Sequence, residues 1–116
     1  MPDSLLRLRD ALREFAVARD WEQFHTPRNL ATALSVEAAE LLEPFQWLTD
    51  EQGANLTPEA RAAVEQEMAD VLLYLVRLAD RLGVDLERAA FAKIERNAAK
   101  YPVEKVRGSS RKYDEI

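Results

Sequence analysis

No cysteine occurs in the 116 residues, and there is a single histidine, His25. The first absence excludes disulfides, thiolate zinc sites, iron–sulfur clusters and cysteine nucleophiles. The second excludes HExxH zinc sites and the paired ExxH motifs of di-iron bundles. Long apolar runs are missing too: the central stretch VLLYLV (71–76) is far shorter than a membrane span of roughly 20 residues. The opening MPDSLLRLRD meets acid and base before any apolar stretch of signal-peptide length. The expectation is a cytoplasmic protein with no membrane partner. Positive charge is in the minority, 16 Lys and Arg against 21 Asp and Glu, for a net −5. That balance disfavours a nucleic-acid binder that grips phosphate with its whole surface.

What remains is 47% hydrophobic and 32% charged, enough for one domain that buries roughly 65% of its unfolded surface. Leu5, Leu8, Leu12, Phe15 and Ala16 follow the three-and-four spacing of an amphipathic helix, with Asp3 or Ser4 as cap. Residues 20–25 (DWEQFH) read as a break or short turn carrying two aromatics. Thr26-Pro27 then predicts a cap and a first helical position for a second helix through Leu30, Leu34, Glu37 and Leu41. Pro44 ends it near Glu43. A loop is expected from Thr49 to Leu56. Thr57-Pro58 repeats the start signal for a long helix to Leu82, closed by Gly83. Asp85 caps a fourth helix through Leu86, Ala89, Ala90, Lys93, Asn97 and Lys100, which Tyr101-Pro102 ends. The fold class is therefore all-α, a bundle of four to five helices. A helical domain over 1–103 is expected, followed by a polar, basic, extended tail over 104–116.

The acids are the informative feature. Glu37 lies three residues after Leu34 and four before Leu41, on a leucine stripe, and Glu40 follows one turn later. Glu67 falls three after Val64 and four before Val71; Asp70 and Tyr74 extend its line. Carboxylates on a core-facing stripe are costly unless compensated, and no nearby lysine or arginine is read on the same stripe. A single ExxE is common on charged helices. Two such pairs on consecutive apolar stripes place four carboxylates, Glu37, Glu40, Glu67 and Asp70, around one cavity. Oxygen-only ligation of this kind suits Mg²⁺, or Mn²⁺. Glu43, Glu59, Glu65 and Glu87 are assigned to solvated faces or helix starts.

Lys93, Asn97 and Lys100 form a line that is an ordinary solvated face, or the cationic side of a polyphosphate clamp beside a metal. Lys105, Arg107, Arg111 and Lys112 of the tail have the same two readings. Trp21, Phe24, Phe45, Trp47 and Tyr74 are core residues or stacking surfaces for a base. His25 reads first as a turn histidine.

The blocks EAAELLEPFQW (37–47), EMADVLLYL (67–75) and KIERNAAKYP (93–102), in that order, resemble the MazG-like all-α nucleoside triphosphate pyrophosphohydrolases. DWEQFHTPRNL (20–30) and RGSSRKY (107–113) look more specifically like dCTP pyrophosphatases. The resemblance implies a homo-oligomer, commonly a tetramer built as a dimer of dimers. It also implies Mg²⁺-dependent hydrolysis of a nucleoside triphosphate to monophosphate and pyrophosphate. Glu37, Glu40, Glu67 and Asp70 fall on its metal-ligand positions, and Glu37 or Glu40 would activate water. Lys93 and Asn97 fall on its phosphate and sugar positions, and Lys100 on a basic one. Trp21, Trp47 and Tyr74 fall on its base pocket, and His25 matches a histidine in the same block. One departure is Leu12, where vertebrate dCTP pyrophosphatases carry a histidine. It leaves dCTP, dUTP and modified nucleotides as substrates to be compared. The reading outside enzymes is a helical oligomerisation module whose acids form interchain ion pairs.

Overall fold

Three threonines and an aspartate open four of the helices. The Thr26, Thr49 and Thr57 side chains accept hydrogen bonds from the backbone N–H groups of Asn29, Gln52 and Ala60, and Asp85 accepts from that of Arg88. Each bond satisfies an amide that the helix itself leaves without a partner. The protein is described by a computed structural model covering residues 4–110. Its helices are α1 (Ser4–Ala18), α2 (Pro27–Leu42), α3 (Asp50–Ala54), α4 (Pro58–Leu82), α5 (Leu86–Lys100) and α6 (Val103–Val106). A 3-10 turn, Glu22–Phe24, lies between α1 and α2, and no strand is present among the described residues. Asp3, Arg111 and Lys112, given roles above, lie outside the described residues.

Two short helices depart from the expected loops. Within 49–56, α3 forms because Thr49 and Gln52 make a reciprocal capping box, each side chain taking the other's backbone N–H. In the stretch expected to be extended, Pro102 is fixed at φ −61° and its carbonyl accepts from Lys105 and Val106, which winds the single turn of α6. The longer helices stop where expected. Gly83 adopts φ 70°, the left-handed conformation that costs glycine nothing, and its N–H returns to the end of α4.

The chain divides into two compact units that part between Val84 and Asp85. In the first unit α2 lies along α4, and α1 packs on α4 as well. Ala16, Leu30, Val64, Val76 and Ala79 supply the buried apolar side chains. Leu30, 2% exposed, is the largest of them, and such burial contributes about 1.5–3 kcal/mol. The second unit carries α5 and α6, with Leu86, Tyr101, Pro102 and Val106 half-buried and the whole of 87–100 exposed. No helix among the described residues is long and apolar enough to cross a membrane.

Candidate active site

Laying α2 along α4 sets the acidic stripe of one helix against that of the other. One oxygen from each of Glu37, Glu67 and Asp70 falls within 4.8 Å of the others. Glu40, one turn beyond Glu37, is outside that trio but shares a hydrogen bond with Glu37. Oε2 of Glu37 and Oε2 of Glu67 are buried and have no hydrogen-bond partner. A buried carboxylate oxygen without a donor carries a desolvation cost that something must offset. Burial, then the bond to Glu40, then the charges of Glu40, Asp70 and Glu67 push the Glu37 carboxyl up to about 7. The donor set is all oxygen, it comes together at one place, and two of its residues carry an orphaned buried oxygen, so these residues fit a hard divalent cation.

Asp70 has a second role. It also lines a cavity of about 270 Å³, whose wall includes Leu12, Trp21, His25, Tyr74 and Arg77. Three of the four residues matched to a base pocket therefore meet at one cavity. Trp47, the fourth, is 87% exposed and does not line it. Trp21 is turned there by the reversal after α1, where Asp20 takes φ 53°. Phe15 holds its ring edge-on at 5.6 Å. Lys93, Asn97 and Lys100 stand on α5 in the second unit, and all three are exposed, as are Lys105 and Arg107.

Arg77 is the residue that sequence reasoning missed. It continues the Glu67–Asp70–Tyr74 line at the next turn, so a cation does share that stripe, contrary to the expectation above. It does not pair with the acids. Its Nε–H donates to Nδ1 of His25 at 3.1 Å and its Nη1 to Asp80 at 3.2 Å. Asp80 in turn accepts from Nε of Arg13 on α1 at 2.8 Å. Arg81 reaches the His25 carbonyl at 3.1 Å. Burial, then the charges of Arg77 and Arg81, hold the imidazole below its usual pKa and neutral at pH 7. An arginine inside VLLYLVRLAD was the available signal, by the same argument applied to the acids.

The sequence pattern of the MazG-like family matches residues 32–116. The chain belongs to the MazG-like family. Among MazG-like relatives, dCTP pyrophosphatase 1 of Homo sapiens is 53% identical over 105 residues, 89% of this chain and 62% of that protein. Its counterpart in Bos taurus is 50% identical over the same share of each chain. The chain thus spans 62% of the length of these curated relatives. The crystal structure of a pyrophosphatase from Archaeoglobus fulgidus superposes with a TM-score of 0.82 at 41% identity. That likeness covers 88% of this chain and 95% of the other, so the MazG-like fold is shared over nearly its whole length.

Proposed function

We propose that this MazG-like protein hydrolyses a deoxynucleoside triphosphate such as dCTP to the monophosphate and pyrophosphate, with Mg²⁺ as cofactor. The observation that carries the reading is the meeting of Glu37, Glu67 and Asp70 beside an aromatic cavity to which Asp70 also belongs. The named activities of the relatives support it. When bound, the ion, Mg²⁺ or Mn²⁺, neutralises triphosphate charge and is held by Glu37, Glu67 and Asp70, with Glu40 at hand. Trp21, His25 and Tyr74 take the base. Trp47 is assigned to the base as well, on its motif.

A water against the Glu37–Glu40 pair loses a proton to one of these carboxyls as its oxygen bonds to the α-phosphorus. The bond from that phosphorus to the oxygen bridging to the β-phosphate breaks, and its electron pair leaves with pyrophosphate. Lys93, Asn97 and Lys100 are assigned to the phosphates and sugar on the strength of their motif. The reaction is assigned to the cytoplasm.

The assembly proposed is a homotetramer, a dimer of dimers. Met68, Leu72 and Leu75 of α4 form an exposed apolar line at i, i+4 and i+7, 56%, 40% and 37% exposed, of the kind that marks an interface. Light scattering after gel filtration gives four chain masses on this reading; one chain mass at micromolar protein rejects it. For the reaction, folded protein is assayed with Mg²⁺ and a panel of deoxynucleoside triphosphates. Equal amounts of monophosphate and pyrophosphate are expected. No turnover of any nucleotide, or release of orthophosphate instead, rejects the proposal.

A further inference from the structure

We propose that Arg77 is a specificity-determining residue: through its bond to Nδ1 of His25 it presents Nε2–H of that imidazole, and with it selects a nucleobase edge bearing a carbonyl acceptor. The inference rests on the nucleotide reading above and names what the cavity selects.

Arg77 is 3% exposed, the most deeply buried charged residue among those described. A guanidinium can only donate, so Nδ1 of His25 must be the acceptor in their 3.1 Å bond. A neutral imidazole that accepts at Nδ1 carries its proton on Nε2. Burial and the charges of Arg77 and Arg81 keep the ring neutral. No protein group bonds Nε2 among the described residues, and His25 lines the cavity. Nη2 of Arg77 is buried without a hydrogen-bond partner, its nearest anion being Glu22 Oε1 at 3.7 Å, too long for one.

Arg77 also lines the cavity, so the imidazole it orients stands beside it in the cavity wall with Nε2–H unfilled. A buried donor left unmade costs more than the bond itself yields, which makes such a site reject a ligand lacking the acceptor. A pyrimidine carbonyl offers lone pairs in the ring plane and can accept the Nε2–H. An exocyclic amine at the same place meets it donor to donor.

The chain's single histidine makes the test direct, because nitrogen-15 correlation spectra of the imidazole contain one ring. Wild-type protein should show an unprotonated Nδ1 and a protonated Nε2, and Arg77→Met should give a mixture of tautomers, with Arg77→Lys restoring the first pattern in part. A proton on Nδ1 of the wild type overturns the proposal. Deoxycytidine or deoxyuridine should shift the Nε2 resonance, and the 2-thio analogues of both together with 4-thiodeoxyuridine identify the carbonyl. The recognised position loses about tenfold in affinity when sulfur replaces oxygen. Arg77→Met should compress that ratio to about twofold. An uncompressed ratio in a variant with native circular dichroism overturns it. Nucleosides without phosphate are read by binding alone, so absence of triphosphate turnover would strike the proposed reaction and leave this result standing on its own.

Discussion

Arg13 on α1 grips Asp80 on α4 with two parallel hydrogen bonds, Nε to Oδ2 at 2.8 Å and Nη2 to Oδ1. The carboxylate is 8% exposed while the guanidinium is 49% exposed. Asp80 also receives Arg77, so one anion ties α1 to the buried cation of the cavity wall. Asp80→Ala leaves Arg77 buried and stripped of its nearest charge, and should cost about 3 kcal/mol or more. Arg13→Ala removes only the outer partner and should cost clearly less. Urea unfolding of both variants checks the order; equal losses would show that Arg77 does not depend on Asp80.

Acid should weaken the same tie. The bond from Arg13 is the main cause that holds the Asp80 carboxyl below its usual value, ahead of the charges of Arg13 and Arg77. A depressed pKa contributes stability that is present above the unfolded value of about 3.9 and lost as pH falls through the folded one. Glu37 acts in the opposite sense, its carboxyl being raised to about 7. Its ionisation destabilises the metal-free fold progressively from the unfolded value of about 4.3 up to about 7. In EDTA, Tm should therefore fall between pH 5 and pH 7.5, roughly the span of that titration. Adding Mg²⁺ at pH 7.5 should recover the loss. A flat Tm profile in EDTA rejects this account of Glu37.

Glu67→Gln should reduce nucleotide hydrolysis by more than about a hundredfold. It should also raise metal-free Tm at pH 7.5, because it takes one charge from a mutually repelling cluster. Activity and melting are measured on the same preparation. Near-normal turnover would remove Glu67 from the ligand set.

Gly83→Ala puts a Cβ on a residue at φ 70°. Nothing lies within 4 Å of that added atom, so the cost is backbone strain alone, about 1 kcal/mol. A loss much larger than this in thermal melts would mean that the α4 terminus is packed in solution.

Helix starts and stops were legible because they are local chemistry. Thr26-Pro27, Thr57-Pro58 and Asp85 cap through neighbours three residues away, and Gly83 ends α4 by its own conformational freedom. Thr49 and Gln52 obey the same local rule, so α3 could have been read from their spacing. The acids were legible for a different reason, since charge on an apolar stripe is an anomaly within one helix. Which of them meet is not local. The packing of α2 on α4 decides that Glu37, Glu67 and Asp70 come together and that Glu40 stays outside the trio, beside Glu37. Arg77 shows the limit most clearly. Its partners, His25 and Asp80, come from a turn and from its own helix, and only one of those distances follows from sequence spacing.

Asp70 stands at once in the carboxylate trio and in the wall of the aromatic cavity. Two ligands that share a residue cannot bind independently. Whatever factor an occupant of the cavity adds to cation affinity, the cation must add to the occupant's, since thermodynamic linkage is reciprocal. Discrimination among bases would then be felt as discrimination in how tightly the metal is retained.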